Sequence, residues 1–487
     1  MSLNRTIGGI RFGTDGWRDV IADGFTFERV RVVAGAMTRY LVRSGWAQRG
    51  VAVGYDERFL SDRFAARVAE VAAAQGIPVR LASRPGPTPS LAAYVAGQGL
   101  GAGIMVTASH NPPAFNGLKL KPPFGGSAPQ EVTAPIEAEA NRMLENGELP
   151  PVLPLDAARA RGLVQPWDPV SGYVERLLDL VDTAAIGRSG LAVAADPMHG
   201  AAREALPQAL RQAGFREVAV IRGEANPGFG GVNPEPIEPN LGPLMAFMAA
   251  RPGFAAGVAV DGDGDRIGAV DGRGRFVNAH QIFALLLIHL VQHRGLRGEV
   301  VKTVTVSHMI DRLAAQFGLP LVETPVGFKY VAARMLAGDV LIGGEESGGI
   351  GVRGHIPERD GTLAALLLGE MMATTGASLA DWVDELDRRL GPFRYGRADI
   401  PCDERTRERL KGRLAAFGPK RIAGREVVER KDVDGFKMVL EDGSWVMVRA
   451  SGTEPMVRVY AESPDEATTA RLLDEGRRWV EEAREGS

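Results

Sequence analysis

Three aspartates alternate with glycines in Asp261-Gly262-Asp263-Gly264-Asp265, and Arg266 follows at once. Glycine leaves the carboxylates unobstructed, so all three can converge on one point. Two carboxylates about 4 Å apart repel by roughly 4 kcal/mol at an effective dielectric near 20. Three such pairs would cost roughly 12 kcal/mol, comparable to a domain's whole stability of about 5–15 kcal/mol. A cation resolves this, and an all-carboxylate set suits a hard ion such as Mg²⁺ better than zinc; a solvated acidic turn is the other reading of the stretch taken alone. An EF-hand also opens Asp-x-Asp-x-Asp, but it needs glycine sixth and glutamate twelfth, where this chain has Arg266 and Gly272.

A serine offers the second piece of chemistry. Ile104-Met105-Val106 is a short apolar run followed by the polar stretch Thr107-Ala108-Ser109-His110-Asn111-Pro112-Pro113, with Asn116-Gly117-Leu118-Lys119 behind it. The run reads as a buried strand, which puts Ser109 on a loop at a strand's carboxyl end, where open α/β sheets bind ligands. Standing alone, the stretch would equally make an ordinary Ser/Asn/Pro turn. A serine paired with a Mg²⁺ loop suggests phosphoryl transfer, the metal neutralising phosphoryl charge. No Gly-x-Ser-x-Gly elbow surrounds Ser109, which disfavours a hydrolase triad. His110 neighbours Ser109, but adjacent side chains on an extended segment point apart, so His110 is assigned to positioning the loop.

Two more polar stretches stand later in the chain. In Gly344-Glu345-Glu346-Ser347-Gly348-Gly349, Glu345 and Ser347 share one side of an extended loop. In Arg449-Ala450-Ser451-Gly452-Thr453-Glu454-Pro455, a guanidinium, two hydroxyls and a flexible backbone are the parts of a phosphate cradle. A hairpin turn between Val448 and Val457 is compatible with that reading. Gly349-Ile350-Gly351-Val352-Arg353-Gly354 formally matches a dinucleotide fingerprint, but Pro357 and Gly361 interrupt the helix it requires.

These four stretches, in this order and spacing, resemble the α-D-phosphohexomutases, the phosphoglucomutase/phosphomannomutase family, over about residues 12–460. The resemblance implies a phosphoserine loop, a metal loop, a sugar-recognition loop and a phosphate-binding loop, one per domain. It implies that Ser109 carries a phosphoryl group, one oxygen of which completes a Mg²⁺ site with Asp261, Asp263 and Asp265. The opening Arg11-Phe12-Gly13-Thr14-Asp15-Gly16-Trp17-Arg18 would fold onto the Ser109 loop, with Arg18 facing the phosphoryl group. Lys119 becomes the first candidate for the proton-transferring group at Ser109, its pKa lowered by desolvation and nearby cations. Glu345 and Ser347 would hold the sugar's O3 and O4. Arg266, Gly327 and Lys329 join the substrate-binding set, and Arg449, Ser451, Gly452 and Thr453 would grip the non-reacting phosphate.

The activity implied is interconversion of glucose 1-phosphate and glucose 6-phosphate, with mannose 1-/6-phosphate as a second pair. It would run through a hexose 1,6-bisphosphate intermediate, glucose 1,6-bisphosphate serving as activator. The sugar loop looks most like those of phosphoglucomutases, since mannomutase and glucosamine-mutase loops usually carry histidine where this chain has Gly349. Arg-Ala-Ser-Gly-Thr-Glu-Pro and Phe-Gly-Thr-Asp-Gly also appear in phosphoglucosamine mutases, which stand as the alternative. A sugar-phosphate-binding protein without turnover and a sugar phosphatase are the readings from other classes.

The scaffold that must position these loops fits the rest of the chain. Its 487 residues suffice for three or four domains of about 100–150 residues each. A net charge of -3 argues against nucleic-acid and anionic-membrane partners, and the resemblance implies small-molecule hexose phosphates as the partners. The single cysteine, Cys402, excludes an internal disulfide and fits a reducing cytoplasm. Residues 1–9 contain no apolar signal segment, and the runs 282–288 and 363–368 are too short to span a membrane and read as buried helices.

Strands alternate with helices through three successive units, which predicts tandem α/β domains with mixed, mostly parallel sheets. A helix is expected from about Thr26 to Gly45, Ser61 should cap the next, and 148–157 reads as a linker. Residues 226–239 read as a surface loop without chemistry of its own. After about residue 390 the strands 436–440, 445–448 and 457–460 predict an α+β domain with an antiparallel sheet, and Ser463 should cap the last helix. The expected domains are 1–160, 161–276, 277–390 and 391–487.

Overall fold

The computed structural model describes residues 8–13, 15–416, 418–450 and 456–485. Among the described residues four sheets form, one in each successive quarter of the chain. In the first, Ala102–Val106, Val51–Tyr55, Val79–Ala82 and Val164–Trp167 run parallel, while Phe115–Lys121, Gly16–Val20 and Phe12–Gly13 complete it antiparallel. The second sheet has Ala256–Val260, Ala192–Asp196 and Glu217–Val220 parallel, with Ile267–Asp271 antiparallel beside Ala256–Val260. In the third, Leu321–Thr324, Glu299–Thr303 and Val340–Gly344 are parallel and Ile350–Val352 antiparallel. The fourth, from Arg394–Pro401 to Arg421–Ile422, is antiparallel throughout.

The fold is therefore three α/β units with mixed sheets and a C-terminal antiparallel one, as expected. The same device recurs in all three α/β units. A fully buried parallel strand ends, the chain turns through a polar loop, and it returns as an antiparallel strand. Those three loops carry Ser109, the aspartates and Glu345. Val164–Trp167 pairs with Val79–Ala82, so the first sheet runs past the expected boundary at residue 160. The second and third units share one apolar core, drawn from residues 170–390. Its centre includes the helices Ala279–Ile288 and Gly361–Thr375, which account for the two long apolar runs. Among the described residues no single helix is long and apolar enough to cross a membrane.

Local signals held in part. Thr26 caps Phe27–Arg43, its hydroxyl accepting from Arg29 N at 3.2 Å. Ser61 is instead the first residue of its helix, behind Leu60 in the left-handed region, because its hydroxyl donates to Asp56 at 2.7 Å. Residues 148–157 are no bare linker, since the helix Leu155–Ala160 begins within them. The last helix, Glu466–Glu485, is capped by Asp465, whose carboxylate accepts from Thr468 N at 2.8 Å; Ser463 ends the preceding strand.

The fourth sheet packs on the third unit through Val304, Val439, Trp445, Met447 and Tyr460. Lys437 is fully buried there, donating to Val304 O at 2.9 Å, its ammonium 3.9 Å from the centre of the Trp445 ring. Burial, reinforced by Lys302, pushes its pKa down to about 7 from the ordinary 10.5. The unfolded chain then binds more protons than the folded one between those values, so this residue makes stability rise with pH from about 7 to 10.5. Urea denaturation across that range is expected to show a steeper rise in wild type than in Lys437→Met. Identical slopes would contradict it.

Candidate active site

Ser109 follows the buried strand Ala102–Val106 and is itself 1% exposed, with φ at +53°. That left-handed backbone is uncommon for serine and needs surrounding structure to hold it. Thr107 Oγ1 accepts from Ser109 N at 2.9 Å. The main restraint is Arg58, which the sequence reading passed over. Its Nη2 donates to Ser109 O and Asn111 O, both at 2.6 Å, and its Nη1 to Pro112 O at 2.8 Å and Phe115 O at 2.9 Å. Asp56, 3.2 Å from Arg58 Nε, balances the charge. The ring of Phe229 lies against the guanidinium, so the 226–239 segment helps brace the Ser109 loop.

Only a planar, multi-donor cation can reach four carbonyls at once. Arg58→Lys is expected to cost about 2–4 kcal/mol of stability and ten- to a hundredfold in turnover, as lost charged hydrogen bonds leave carbonyls unpaired. Denaturant titration alongside the turnover number checks this; unchanged turnover would contradict it.

The aspartate loop closes against Ser109 from the second unit. A Cβ on Gly262 would sit 2.5 Å from Ser109 O, so only glycine permits the approach, and Gly264 adopts φ of +76°. Asp261, Asp263 and Asp265 are fully buried, with carboxylate oxygens within 4.8 Å of one another. Asp261 Oδ1 accepts from the backbone N–H groups of Asp265 and Arg266, and Asp261 Oδ2 accepts from Ser109 Oγ at 2.7 Å. Asp263 Oδ2 accepts from Thr88 at 2.6 Å and from Lys119 Nζ at 2.7 Å. Asp265 Oδ2 accepts from Arg359 Nη2 at 2.7 Å. The other oxygens, Asp263 Oδ1 and Asp265 Oδ1, are buried without a hydrogen-bond partner, Arg266 Nε standing 3.9 Å from the latter. Orphaned, oxygen-only donors of this kind fit a hard divalent cation.

The electrostatics correct one expectation. Burial acts to lower the Lys119 pKa, but Asp15, Asp263 and Asp265 outweigh it and hold the ammonium well above its ordinary range. Lys119 Nζ is 2.8 Å from Asp15 and 3.3 Å from Asp265 as well. The nearest groups to Lys119 are carboxylates rather than the cations anticipated, so it is a fixed cation here. Asp261 titrates well above its ordinary value, through burial and then Asp263 and Asp265. Asp263 goes the other way, because Lys119 and Thr88 overcome burial.

Arg18, on a strand paired beside Phe115–Lys121, donates to Asn111 Oδ1 at 2.6 Å, so the opening motif does fold onto the Ser109 loop. The half-buried His110 is held neutral by burial and by Arg266, Arg18, Arg458 and Arg397; its Nδ1 has no partner.

The sugar-loop candidates stand beside the aspartates, joined by an Arg266–Gly349 bridge and by Ile267 N donating to Gly348 O at 3.0 Å. The segment 345–349 is a tight turn, not an extended loop, with Glu345 N bonded to Gly349 O at 3.0 Å. The i, i+2 argument for Glu345 and Ser347 therefore does not apply; Glu345 is buried and Ser347 half-buried. Glu346 turns aside to accept from Thr305 at 2.7 Å, near Arg397, Arg449 and Arg458.

Arg449 donates to Asp434 at 2.8 Å, and the same oxygen accepts from Val326 N at 3.0 Å. That carboxylate ties Arg449 to the segment entering Gly327, which precedes the helix Phe328–Ala337 carrying Lys329. Lys329 is half-buried, its ammonium 5.1 Å from the Tyr330 ring centre. Ser451, Gly452 and Thr453 lie outside the described residues.

Besides Arg58, the sequence reading missed Asp15, Thr88 and Arg359. Asp15 lies inside the opening motif, and its carboxylate between two glycine-bearing steps was the available signal. Arg359 had none; it reaches the site because Gly361 N bonds to Gly264 O at 3.1 Å and folds its segment over the aspartate loop.

This geometry meets its counterpart among known proteins. Residues 9–146, 171–274 and 278–389 match phosphoglucomutase/phosphomannomutase α/β/α domains I, II and III, and 405–478 match that family's C-terminal domain. A phosphoglucomutase/phosphomannomutase of Thermococcus kodakarensis is 31% identical over 98% of this chain and 99% of its own. A phosphoglucosamine mutase of Salinispora arenicola is 33% identical over 95% of this chain and 96% of its own. The crystal structure of a candidate phosphomannomutase from Thermus thermophilus superposes with a TM-score of 0.84 at 37% identity, covering 97% of this chain and 99% of that one. The site and the four domains define a phosphohexomutase. The chain belongs to the phosphoglucomutase/phosphomannomutase family.

Proposed function

We propose that this chain is a Mg²⁺-dependent phosphoglucomutase interconverting glucose 1-phosphate and glucose 6-phosphate, with the mannose phosphates as a second pair. The observation that carries the reading is the contact between Ser109 Oγ and Asp261 Oδ2 at 2.7 Å, beside two orphaned carboxylate oxygens. Bound by Asp261, Asp263 and Asp265, Mg²⁺ would supply neutralisation of charge on a phosphoryl group carried by Ser109.

The chain's own groups do the rest. In the forward transfer the bond from phosphorus to Ser109 Oγ breaks and one to the sugar hydroxyl oxygen forms; the sugar hydroxyl gives up its proton and Ser109 Oγ takes one up, leaving the serine hydroxyl. In the return transfer the other phosphate passes from the sugar to Ser109, whose hydroxyl proton faces Asp261. Lys119 and Arg18 are fixed cations for the negative charge in transit. Glu345 accepts from sugar hydroxyls, while Lys329 and Arg449, with Ser451, Gly452 and Thr453, hold the far phosphate. Hexose 1,6-bisphosphate is then the bound intermediate. Incubation with glucose 1,6-bisphosphate and Mg²⁺ should place phosphate on Ser109, as read by peptide mass spectrometry; phosphate on no residue, or on another, contradicts this.

A second reading is phosphoglucosamine mutase, favoured by the Salinispora relative at 33% identity. Relative rates on the two sugar 1-phosphates decide between them.

A further inference from the structure

The strand Glu299–Thr303 runs into a turn at 304–308 that the fourth sheet holds at both ends. Lys437 Nζ donates to Val304 O at 2.9 Å, and Glu462 Oε1 accepts from His308 N at 3.0 Å. The same Glu462 oxygen accepts from Trp445 Nε1 at 3.0 Å. The centre of the Trp445 ring lies 3.9 Å from the Lys437 ammonium and 5.8 Å from the centre of the His308 ring. Between the two ends stands Thr305, fully buried, whose hydroxyl donates to Glu346 Oε2 at 2.7 Å. Lys302 Nζ donates to Val306 O at 3.3 Å, so a buried ammonium pins the carbonyl on either side of Thr305. Glu346 is the second residue of the tight turn 345–349 and the neighbour of Glu345.

We infer that Thr305, held in place by Lys437 of the fourth sheet, is a positioning residue that sets the sugar-binding turn through Glu346. This rests on the mutase reading, with Glu345 as a sugar-binding group. Two attractions act on the Glu346 carboxylate: the Thr305 hydroxyl, and the cations Arg397, Arg449 and Arg458 of the fourth unit. The hydrogen bond fixes a direction, whereas the charges only pull. Without the hydroxyl the carboxylate turns toward the arginines and draws Glu345 out of place. Without Lys437 the Val304 carbonyl is released and Thr305 moves with it, so the two residues act in series.

The test is KM and kcat for glucose 1-phosphate, with Mg²⁺ and glucose 1,6-bisphosphate saturating, in wild type, Thr305→Val, Thr305→Ser, Lys437→Met and the Thr305→Val/Lys437→Met double variant. Urea denaturation reads the folding of each, and Lys437→Gln takes the place of Lys437→Met where the latter does not fold. Thr305→Val keeps the shape and removes the hydroxyl. It should raise KM about tenfold and leave kcat within about threefold, because the contact is lost in ground and transition states alike. Thr305→Ser, which restores the hydroxyl, should return KM to within about twofold of wild type. Lys437→Met should also raise KM, by about fivefold, and the double variant should go no higher than Thr305→Val, as expected of coupled residues. An unchanged KM in Thr305→Val, an equal rise in Thr305→Ser, or KM increases that multiply in the double variant would overturn the inference while leaving the mutase reading in place. Turnover of no hexose 1-phosphate by wild type would remove both.

Discussion

Replacing Ser109 by alanine is expected to lower turnover by about 10⁴-fold or more while leaving the fold unchanged, because the nucleophile itself is removed. The loop does not depend on the hydroxyl for its shape. Ser109 N is held by Thr107 Oγ1, and Ser109 O by Arg58, whose other bonds fix Asn111, Pro112 and Phe115. Alanine keeps that backbone at a cost of about 1 kcal/mol or less, since it loses one side-chain bond at an already unusual φ. Initial rates and thermal melting, read together, check the separation. Turnover within tenfold of wild type, or loss of cooperative melting, would contradict it.

Lys119→Met should be the most destabilising single change at the site. Asp15, Asp263 and Asp265 all lie within 3.3 Å of its ammonium, and removing one partner from a buried ionic cluster costs about 3–5 kcal/mol. The melting temperature should fall most in EDTA and recover in part with Mg²⁺, which replaces some of the missing positive charge. The sign of the pH dependence follows from the raised folded pKa. The contribution of Lys119 is fully present below the unfolded value of 10.5 and is lost only as pH rises beyond it, so the deficit should be constant from pH 6 to about 9. Turnover should drop by about a hundredfold or more, as for loss of a preorganised cation. A variant as stable as wild type in EDTA would contradict the account.

The fold and the central loops were legible because each rests on a local signal. The apolar runs at 104–106 and 257–260 read as buried strands, and the alternation of Asp and Gly at 261–265 reads as carboxylates brought to one point. Local capping was less legible where hydroxyls had a tertiary alternative. Ser61 looks like a cap until Asp56 takes its hydroxyl, and Ser463 until Asp465 supplies the carboxylate. The least legible feature was the charge balance. Lys119 was expected among cations, yet Asp15 comes to it from the chain's first strands. Arg359 reaches the same cluster from beyond the sugar loop. Contacts between such distant segments leave no periodicity in the sequence, and the carboxylates among them set the sign of the shift at Lys119, against burial and Arg359. Arg58 was hidden for the same reason: its partners are backbone carbonyls, which no residue type announces.

The central claim is phosphoryl exchange within a sugar phosphate through Ser109. A ³¹P NMR time course tests it most directly, with the protein, Mg²⁺, a trace of glucose 1,6-bisphosphate and glucose 1-phosphate, and Ser109→Ala as control. The account predicts that the 1-phosphate resonance converts to that of the 6-phosphate with no rise in inorganic phosphate, and that the control stays flat. Inorganic phosphate accumulating in place of the 6-phosphate, or equal conversion by the control, would contradict it.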